Sequence, residues 1–375
     1  MTGSAERKAV DGLILAGGPG ERRIALLHGD EVVGFVIDRG EPAAGDIFLG
    51  RVLARPPGMN ATFVEIGAKL PGYLPRPGIW REGEAILVQV TAEARQDKGT
   101  VLTDRVEIAD ELRQRAARTK PPARLLGLGG LARTLQREKE VRRLLVGDAA
   151  LLPEARALFP DAEMLRDAWR ALGAADALDQ ALSRVVQLEN GGRLIIDETN
   201  GATVIDIDAG GMRSDDANSA AVAEIARQLR LRGIAGQILI DAIPGDSPAS
   251  IKGAIERLKH HLALDPTPTD VLGVTKMRLI ELVRPRRQPS LAEYFLAPPE
   301  PKRNAESLAL EALQAVLAEA LARPAASLTL TAAPEIIRRL DRRPDWLAET
   351  ESRLGRKLPL VARAGMEGYE INGTP

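Results

Sequence analysis

Cysteine is absent from this 375-residue chain. That excludes disulfides, thiol nucleophiles and every cysteine-based zinc site. Histidine occurs three times, at His28, His260 and His261, too few and badly spaced for a His-rich metal site. No G-x-S-x-G elbow accompanies them, so a Ser-His-Asp triad has no support. Aromatic residues make up only 3% of the chain. No apolar run is long enough to span a bilayer, so no membrane segment is expected. The opening stretch MTGSAERKAVDG lacks the apolar core of a signal peptide, and a cytoplasmic location is expected. Net charge is −1, so the protein as a whole is no polyanion magnet. Basic residues do cluster at 113–124, 133–143, 284–287 and 338–343, and most such runs are solvated faces.

What the chain does have is 45% apolar and 27% charged residues, the balance of a globular protein of two or three domains. Its most telling feature is a pair of aspartates at the ends of two apolar runs, Asp206 in TVIDID and Asp241 in QILIDAI. The interval holds a strong helix pattern, SAAVAEIARQLRLR. Strand, crossover helix and strand make a βαβ unit. Its right-handed crossover puts both strand ends, and both carboxylates, on one edge of a sheet. Two carboxylates beside an Arg-rich helix suit a hard cation and a phosphate ligand, since Mg²⁺ takes one or two carboxylates, several waters and phosphate oxygens. That combination points to metal-dependent chemistry on a phosphodiester. The plainer alternative is that strand-end aspartates form turns or cap helices.

Residues 22–38 read as two strands joined at Gly29-Asp30. Five short β runs follow between 45 and 110, separated by Gly, Pro and Asn, which suggests a small closed barrel of the OB type. Phe63 and Tyr73 fall inside it, as base-stacking platforms or as core residues. Residues 105–122 are expected to be helical, 124–131 (RLLGLGGL) to be a plain turn, and AGGPGE at 16–21 a loop between strands. Residues 133–187 are expected to be mostly helical, with breaks at Gly147 and Pro160. A strand–strand–helix–strand core spans 191–243, then a helix at 249–263 and one or two strands in VLGVTKMRLIELVRP. Asp197 reads as a turn residue or a supporting acid, and His260-His261 as a helix terminus. Beyond a linker at APPEPK come a helix at 305–323, a strand at 327–331, helices to about 355 and two closing strands.

At TVIDID and EIARQLRLRGIAGQILIDAI the chain resembles the ribonuclease E/G family of bacterial endoribonucleases. GDIFLGRVLARPPGMNATFVEIGAKLPGYLP resembles that family's OB-fold RNA-binding domain, and VQVTAEARQDKGTVLT the next strand pair with its Lys-Gly turn. VLGVTKMRLIELVRPRRQPSLAEYFL resembles the strand pair and basic turn that close the family's nuclease subdomain. The resemblance covers most of 24–110 and 190–296. It implies an α/β (α+β) multidomain protein with an OB-fold barrel near the start, an RNase H-like/DNase I-like α/β nuclease core and a small C-terminal α/β domain. The implied layout is 1–44 for the first RNase H-like strands and 45–110 for the barrel. A shortened sensor remnant and helical RNase H-like part fill 111–190, and 191–296 form the DNase I-like subdomain. Residues 297–304 are a linker and 305–375 the C-terminal domain.

The resemblance also implies roles. Asp206 and Asp241 match the family's two Mg²⁺-binding aspartates, with Mn²⁺ as an alternative ion. Asp208 stands where the family usually has an assisting asparagine. Phe63 and Tyr73 match base-stacking aromatics, and Lys98 a basic residue facing the RNA backbone. Arg227, Arg230, Arg232 and Lys276 lie at matching basic positions near the nuclease site, although the arginines also suit the polar face of an amphipathic helix whose stripe is Val222, Ile225 and Leu229. Arg133 and Thr134 are candidates for a remnant of the pair that grips a 5′-monophosphate. Three departures stand out. APPEPK replaces the family's cysteine-containing zinc link, so no zinc is held there. The 5′-end sensor is much shortened. The loop after Asp206 is short and carries Asp215 and Asp216 in place of a basic run. The expectation is a Mg²⁺-dependent endoribonuclease for AU-rich single-stranded RNA, in mRNA decay or rRNA and tRNA maturation. Any homo-oligomer would form without zinc. The alternatives are an RNA-binding relative with a weakened nuclease and, less favoured, a DNA-directed phosphodiesterase.

Overall fold

A computed structural model of the chain describes residues 9–53, 58–75, 80–95, 98–189, 191–244, 248–297 and 302–374. The chain divides after Ala297 into two compact units. Residues 298–301 of the expected linker lie outside the described residues.

The first unit opens with an antiparallel meander of β1 (Gly12–Gly18), β2 (Glu21–His28) and β3 (Glu31–Asp38). Gly29 and Asp30 make the expected two-residue turn, and AGGPGE folds as the β1–β2 hairpin. These strands bury both faces. Leu13, Leu15, Ile24 and Val36 pack on one side, and Ile14, Ala25, Leu27 and Phe35 on the other. That explains their near-continuous apolar runs.

Next come β4 (Ile47–Val52), β5 (Ala61–Glu65), β6 (Gly72–Pro75), β7 (Ala85–Ala92) and β8 (Val101–Thr103). Their pairings run β5-β6-β8-β7-β4 and return from β4 to β5, closing a five-stranded barrel consistent with an OB-like fold. Every second side chain points inward, and Phe48, Val64, Leu74, Ile86, Val88, Val90 and Leu102 fill the interior. Gly99 makes the closure tight, because a Cβ there would lie 1.9 Å from the carbonyl oxygen of Pro71.

Helix α1 (Asp110–Ala117) is shorter than the helix expected over 105–122. The Gly-rich stretch expected to be a turn instead forms β9 (Ala123–Leu126), which adds to β4, and the start of α2 (Gly130–Arg137). The interval 133–187 is far less helical than expected. It holds β10 (Arg143–Val146), α3 (Leu152–Leu158), β11 (Glu163–Met164), α4 (Ala168–Ala171), α5 (Ala174–Leu182) and β12 (Val185–Gln187). Strands β10 and β11 run parallel to β1 and complete a sheet of order β11-β10-β1-β2-β3. Leu144 and Val146 are fully buried in it. The short run RLLV lies among charged residues, so its strand character comes from pairing with β1 rather than from local pattern.

The expected strand–strand–helix–strand core follows as β13 (Arg193–Glu198), β14 (Thr203–Asp208), α6 (Ser214–Leu231) and β15 (Gly236–Asp241). Then come α7 (Pro248–Leu262), the hairpin β16 (Asp270–Val274) and β17 (Leu279–Arg284), and the short helix α8 (Leu291–Phe295). The sheet order is β12-β13-β14-β15-β17-β16. Helices α6 and α7 cover one face, where Leu194, Ile196, Ile205, Ile207, Ile238 and Ile240 meet Val222, Ile225, Leu229 and Leu258. The opposite side of α6 packs against β3.

The second unit contains α9 (Ala305–Ala322), β18 (Ser327–Ala332), α10 (Pro334–Asp341), α11 (Pro344–Leu354), β19 (Leu360–Ala362) and β20 (Tyr369–Thr374). Strand β18 is central, parallel to β19 and antiparallel to β20. The order of helices and strands is the one expected.

Candidate metal and nucleic-acid site

Strand β14 alternates strictly. Thr203, Ile205 and Ile207 are buried, while Val204 and Asp206 are exposed and Asp208 is partly so. Strand β15 does the same, with Ile238 and Ile240 buried and Asp241 exposed. The two strands are parallel, and Asp206 is the register partner of Asp241. The carboxylates therefore stand side by side on the uncovered face, on strands about 4.8 Å apart. Among the described residues, no hydrogen bond or ion pair engages either of them. Nor does a group of three or more His, Asp or Glu side chains converge there. Two unpaired, exposed carboxylates with open space around them fit a hard cation that keeps waters and takes phosphate oxygens. They do not make a closed structural cage.

Asp208, next on the same face, is committed elsewhere. It accepts from the Gly210 amide (3.0 Å) and from Arg193 (2.8 Å), and these contacts hold its carboxyl below the usual range. Gly210 sits at φ +55°, and a Cβ there would lie 2.1 Å from the Gly191 oxygen, so this turn requires glycine. Asp197 likewise pairs with Arg184. Asp215 and Asp216 occupy the first turn of α6, where the helix dipole favours negative charge.

Side chains not singled out from the sequence complete the surroundings. Asn218 on α6 is 2% exposed and clamps the backbone just past Asp241. Its amide nitrogen donates to the Ile243 oxygen (2.8 Å), and its oxygen accepts from the Ile243 amide (3.1 Å). The β16–β17 turn carries exposed Lys276 and Arg278. Because Leu279 pairs with Asp241, this turn projects from the same sheet edge. Thr275 fixes it by accepting the Met277 and Leu279 amides.

On the barrel, Phe63 and Tyr73 are cross-strand partners on the outer surface, while their neighbours Val64 and Leu74 turn inward. Their rings meet edge to face at 6.0 Å. Both are half-exposed, which removes the core reading. Lys98 is exposed in the β7–β8 turn, where its backbone bridges to Arg95.

The description of the ribonuclease E/G family matches residues 161–287, the stretch that carries both aspartates. Ribonuclease E of Escherichia coli K12 is 26% identical over 80% of this chain and 40% of its own length. Ribonuclease G of the same organism is 26% identical over 73% of this chain and 79% of its own. Ribonuclease E of Nostoc is 37% identical over 32% of this chain and 18% of its own length. Residues 161–287 therefore carry the sequence signature of the ribonuclease E/G family.

Some candidate residues do not join the carboxylates. Arg227 and Arg230 lie on α6, which covers the other face of the sheet. They also sit 13 or more residues beyond its first residue, Ser214, roughly 20 Å along the helix from the edge that bears Asp206. Arg227 pairs with Glu224 (2.8 Å). Arg232 is buried and donates to Gln228 (2.5 Å). Arg133 and Thr134 lie on α2, lining a cleft of about 600 Å³ with Glu93, Arg137, Arg287 and Tyr294. The Thr134 hydroxyl donates to the Gly130 oxygen (2.8 Å), and Arg133 donates to the Leu128 oxygen. The Thr134 hydroxyl is thus spent on its own helix, whereas Arg133 is tied to the helix lead-in and also faces the Asp38 carboxylate at 4.0 Å. Among the described residues, no helix is long and apolar enough to cross a membrane.

Proposed function

We propose that this chain is a divalent-metal-dependent endoribonuclease acting on single-stranded RNA. The observation that carries the reading is the in-register pair Asp206 and Asp241 on an open strand face, within the segment that matches the family. Asp206 and Asp241 would hold Mg²⁺, or Mn²⁺. Bound there, the ion supplies a polarised phosphate and a water of lowered pKa. Lys276 and Arg278, at the same edge, attract and orient the phosphate backbone. Arg193 neutralises Asp208 and so keeps a third negative charge from opposing the RNA. Phe63 and Tyr73 offer ring faces to successive bases, a sequence-tolerant contact that suits single strands. Lys98 adds backbone attraction on the same barrel.

The strand order β3-β2-β1-β10-β11, with the last two parallel to β1, supports an RNase H-like first part. The six-stranded sheet is the DNase I-like subdomain in this reading. AU-rich substrates, and roles in mRNA decay or rRNA and tRNA maturation, complete the proposal. A second reading, an RNA binder with a weakened nuclease, is favoured by Asp208 at a position the resemblance gives to asparagine. One experiment separates the two. A 5′-labelled AU-rich oligoribonucleotide is incubated with Mg²⁺ or EDTA and wild type, Asp206→Asn or Asp241→Asn. Metal-dependent cutting lost in both variants supports the nuclease. Binding without cutting by wild type leaves the second reading.

A further inference from the structure

The barrel is an insertion, and among the described residues its attachments are few. Its chain enters after Asp38 and leaves before Gly130, and these points touch, because the Asp38 carboxylate accepts the Gly130 amide. Arg124 reinforces the same point by donating to the Gly40 oxygen (3.4 Å). Among the described residues, the barrel strands pack chiefly on one another and on β9. A body held at one pivot can turn about it, so a second attachment away from the pivot sets its orientation.

That second attachment is present. Residues 286–295 form a strap anchored to both sheets. Arg286 donates to the Ala235 oxygen (2.5 Å), the Leu291 amide donates to the Arg232 oxygen (2.9 Å), and Arg39 donates to the Tyr294 oxygen (2.9 Å). Arg23 and Arg39 also lie over the Phe295 ring. The strap seizes the barrel at the hairpin that leads to Lys98. The Glu93 amide donates to the Arg287 oxygen (3.0 Å), the Tyr294 hydroxyl donates to Glu93 (2.9 Å), and Arg95 donates to Glu293 (2.5 Å). Arg95 and Glu293 are 19% and 8% exposed, so solvent screens this pair little. Glu293 also accepts the Ser290 amide in a capping box, which fixes its carboxylate before Arg95 arrives.

We propose that Arg95 and Glu293 are positioning residues that lock the barrel against rotation about the Asp38–Gly130 pivot, so that RNA lying on Phe63 and Tyr73 is presented to Asp206 and Asp241. The lock itself rests on contacts alone; its consequence for cleavage rests on the nuclease reading.

The chain has no cysteine, so paired spin labels can be placed at Glu82→Cys on the barrel and Lys252→Cys on α7 of the full-length protein. Pulsed EPR should give one narrow distance in the parent. It should broaden in Arg95→Ala and stay near the parent in Arg95→Lys, which keeps the charge. An unchanged distribution in Arg95→Ala would overturn the lock. In parallel, an AU-rich oligoribonucleotide is bound in EDTA and cleaved with Mg²⁺ at saturation. Arg95→Ala should hold Kd within about threefold, cut at least about tenfold more slowly, and spread the cut positions. Rate and affinity falling together, with the cut position unmoved, would refute the positioning role. Should wild type bind but never cut, the nuclease reading fails and the EPR result still decides the lock.

Discussion

Replacing Asn218 by alanine should loosen the backbone just beyond Asp241 without unfolding the sheet. The asparagine amide satisfies both polar groups of Ile243, at 2.8 Å and 3.1 Å, from a nearly solvent-free position on α6. Alanine leaves a carbonyl and an amide without those partners, each worth roughly 1–2 kcal/mol once desolvation is counted. Together they should cost about 2–4 kcal/mol, a loss of roughly 30- to 1000-fold in local protection. Hydrogen exchange at the Ile243 amide reads this opening directly and avoids assigning one unfolding free energy to a chain of two units. Ser219→Ala, one residue along the helix, is the control and should change exchange by less than about threefold. Mn²⁺ titration should show weaker binding in Asn218→Ala, because the strand end that presents Asp241 is less ordered. Equal Ile243 exchange in wild type and Asn218→Ala would refute the clamp.

Other perturbations have equally definite outcomes. Arg284 and Asp265 form an ion pair at 2.7 Å with side chains 5% and 4% exposed. Arg284→Met should destabilise the first unit by about 3–5 kcal/mol, read by hydrogen exchange at the β15 and β17 amides, whereas replacing both partners by apolar residues should cost clearly less. Burial raises the Glu93 carboxyl above its ordinary value, more than the Tyr294 hydroxyl bond lowers it. The unfolded chain then ionises first as pH rises, so this residue's contribution is complete below about pH 4.5 and is lost as pH climbs through the raised native value. Glu93→Gln should flatten that part of the thermal stability profile; an unchanged slope would count against it. Phe63→Ala and Tyr73→Ala should each weaken RNA binding by about 1–3 kcal/mol with little change in melting temperature, measured by fluorescence anisotropy.

The segment that bears the carboxylates was readable because its information is local. In TVIDID and QILID the apolar residues alternate with polar ones, which settles strand type and places the aspartates away from the core. The helix between them shows a clear buried stripe at Val222, Ile225 and Leu229. Barrel strands were equally plain, each bounded by Gly, Pro or Asn. The interval 133–187 was not readable in the same way. RLLV becomes a strand because Gly12 to Leu15 pair with it from the other end of the barrel insertion. GLGGL similarly hides a helix start that is capped by Asp38, a residue about 90 positions earlier. Asn218, Arg193 and Glu293 escaped notice for a related reason. Each acts on a partner distant in sequence, and only Glu293 carries a local motif, the capping box with Ser290, which does not point to Arg95. The basic run on α6 misled through composition, since a charged helix face near a site in sequence can still lie behind the sheet in space.

The pairing of β1 with β10 also has a consequence for synthesis. The two strands are roughly 130 residues apart, so a ribosome adding 5–20 residues per second leaves β1 without its parallel neighbour for about 7–26 seconds. Through that interval β1 is an unprotected edge of a nascent meander, with Leu13, Ile14 and Leu15 awaiting cover. The barrel, whose partners all lie between Ile47 and Thr103, can finish folding first. Slow codons or a chaperone acting between about residue 40 and residue 146 should therefore change the yield of native protein more than the same interventions placed after β15.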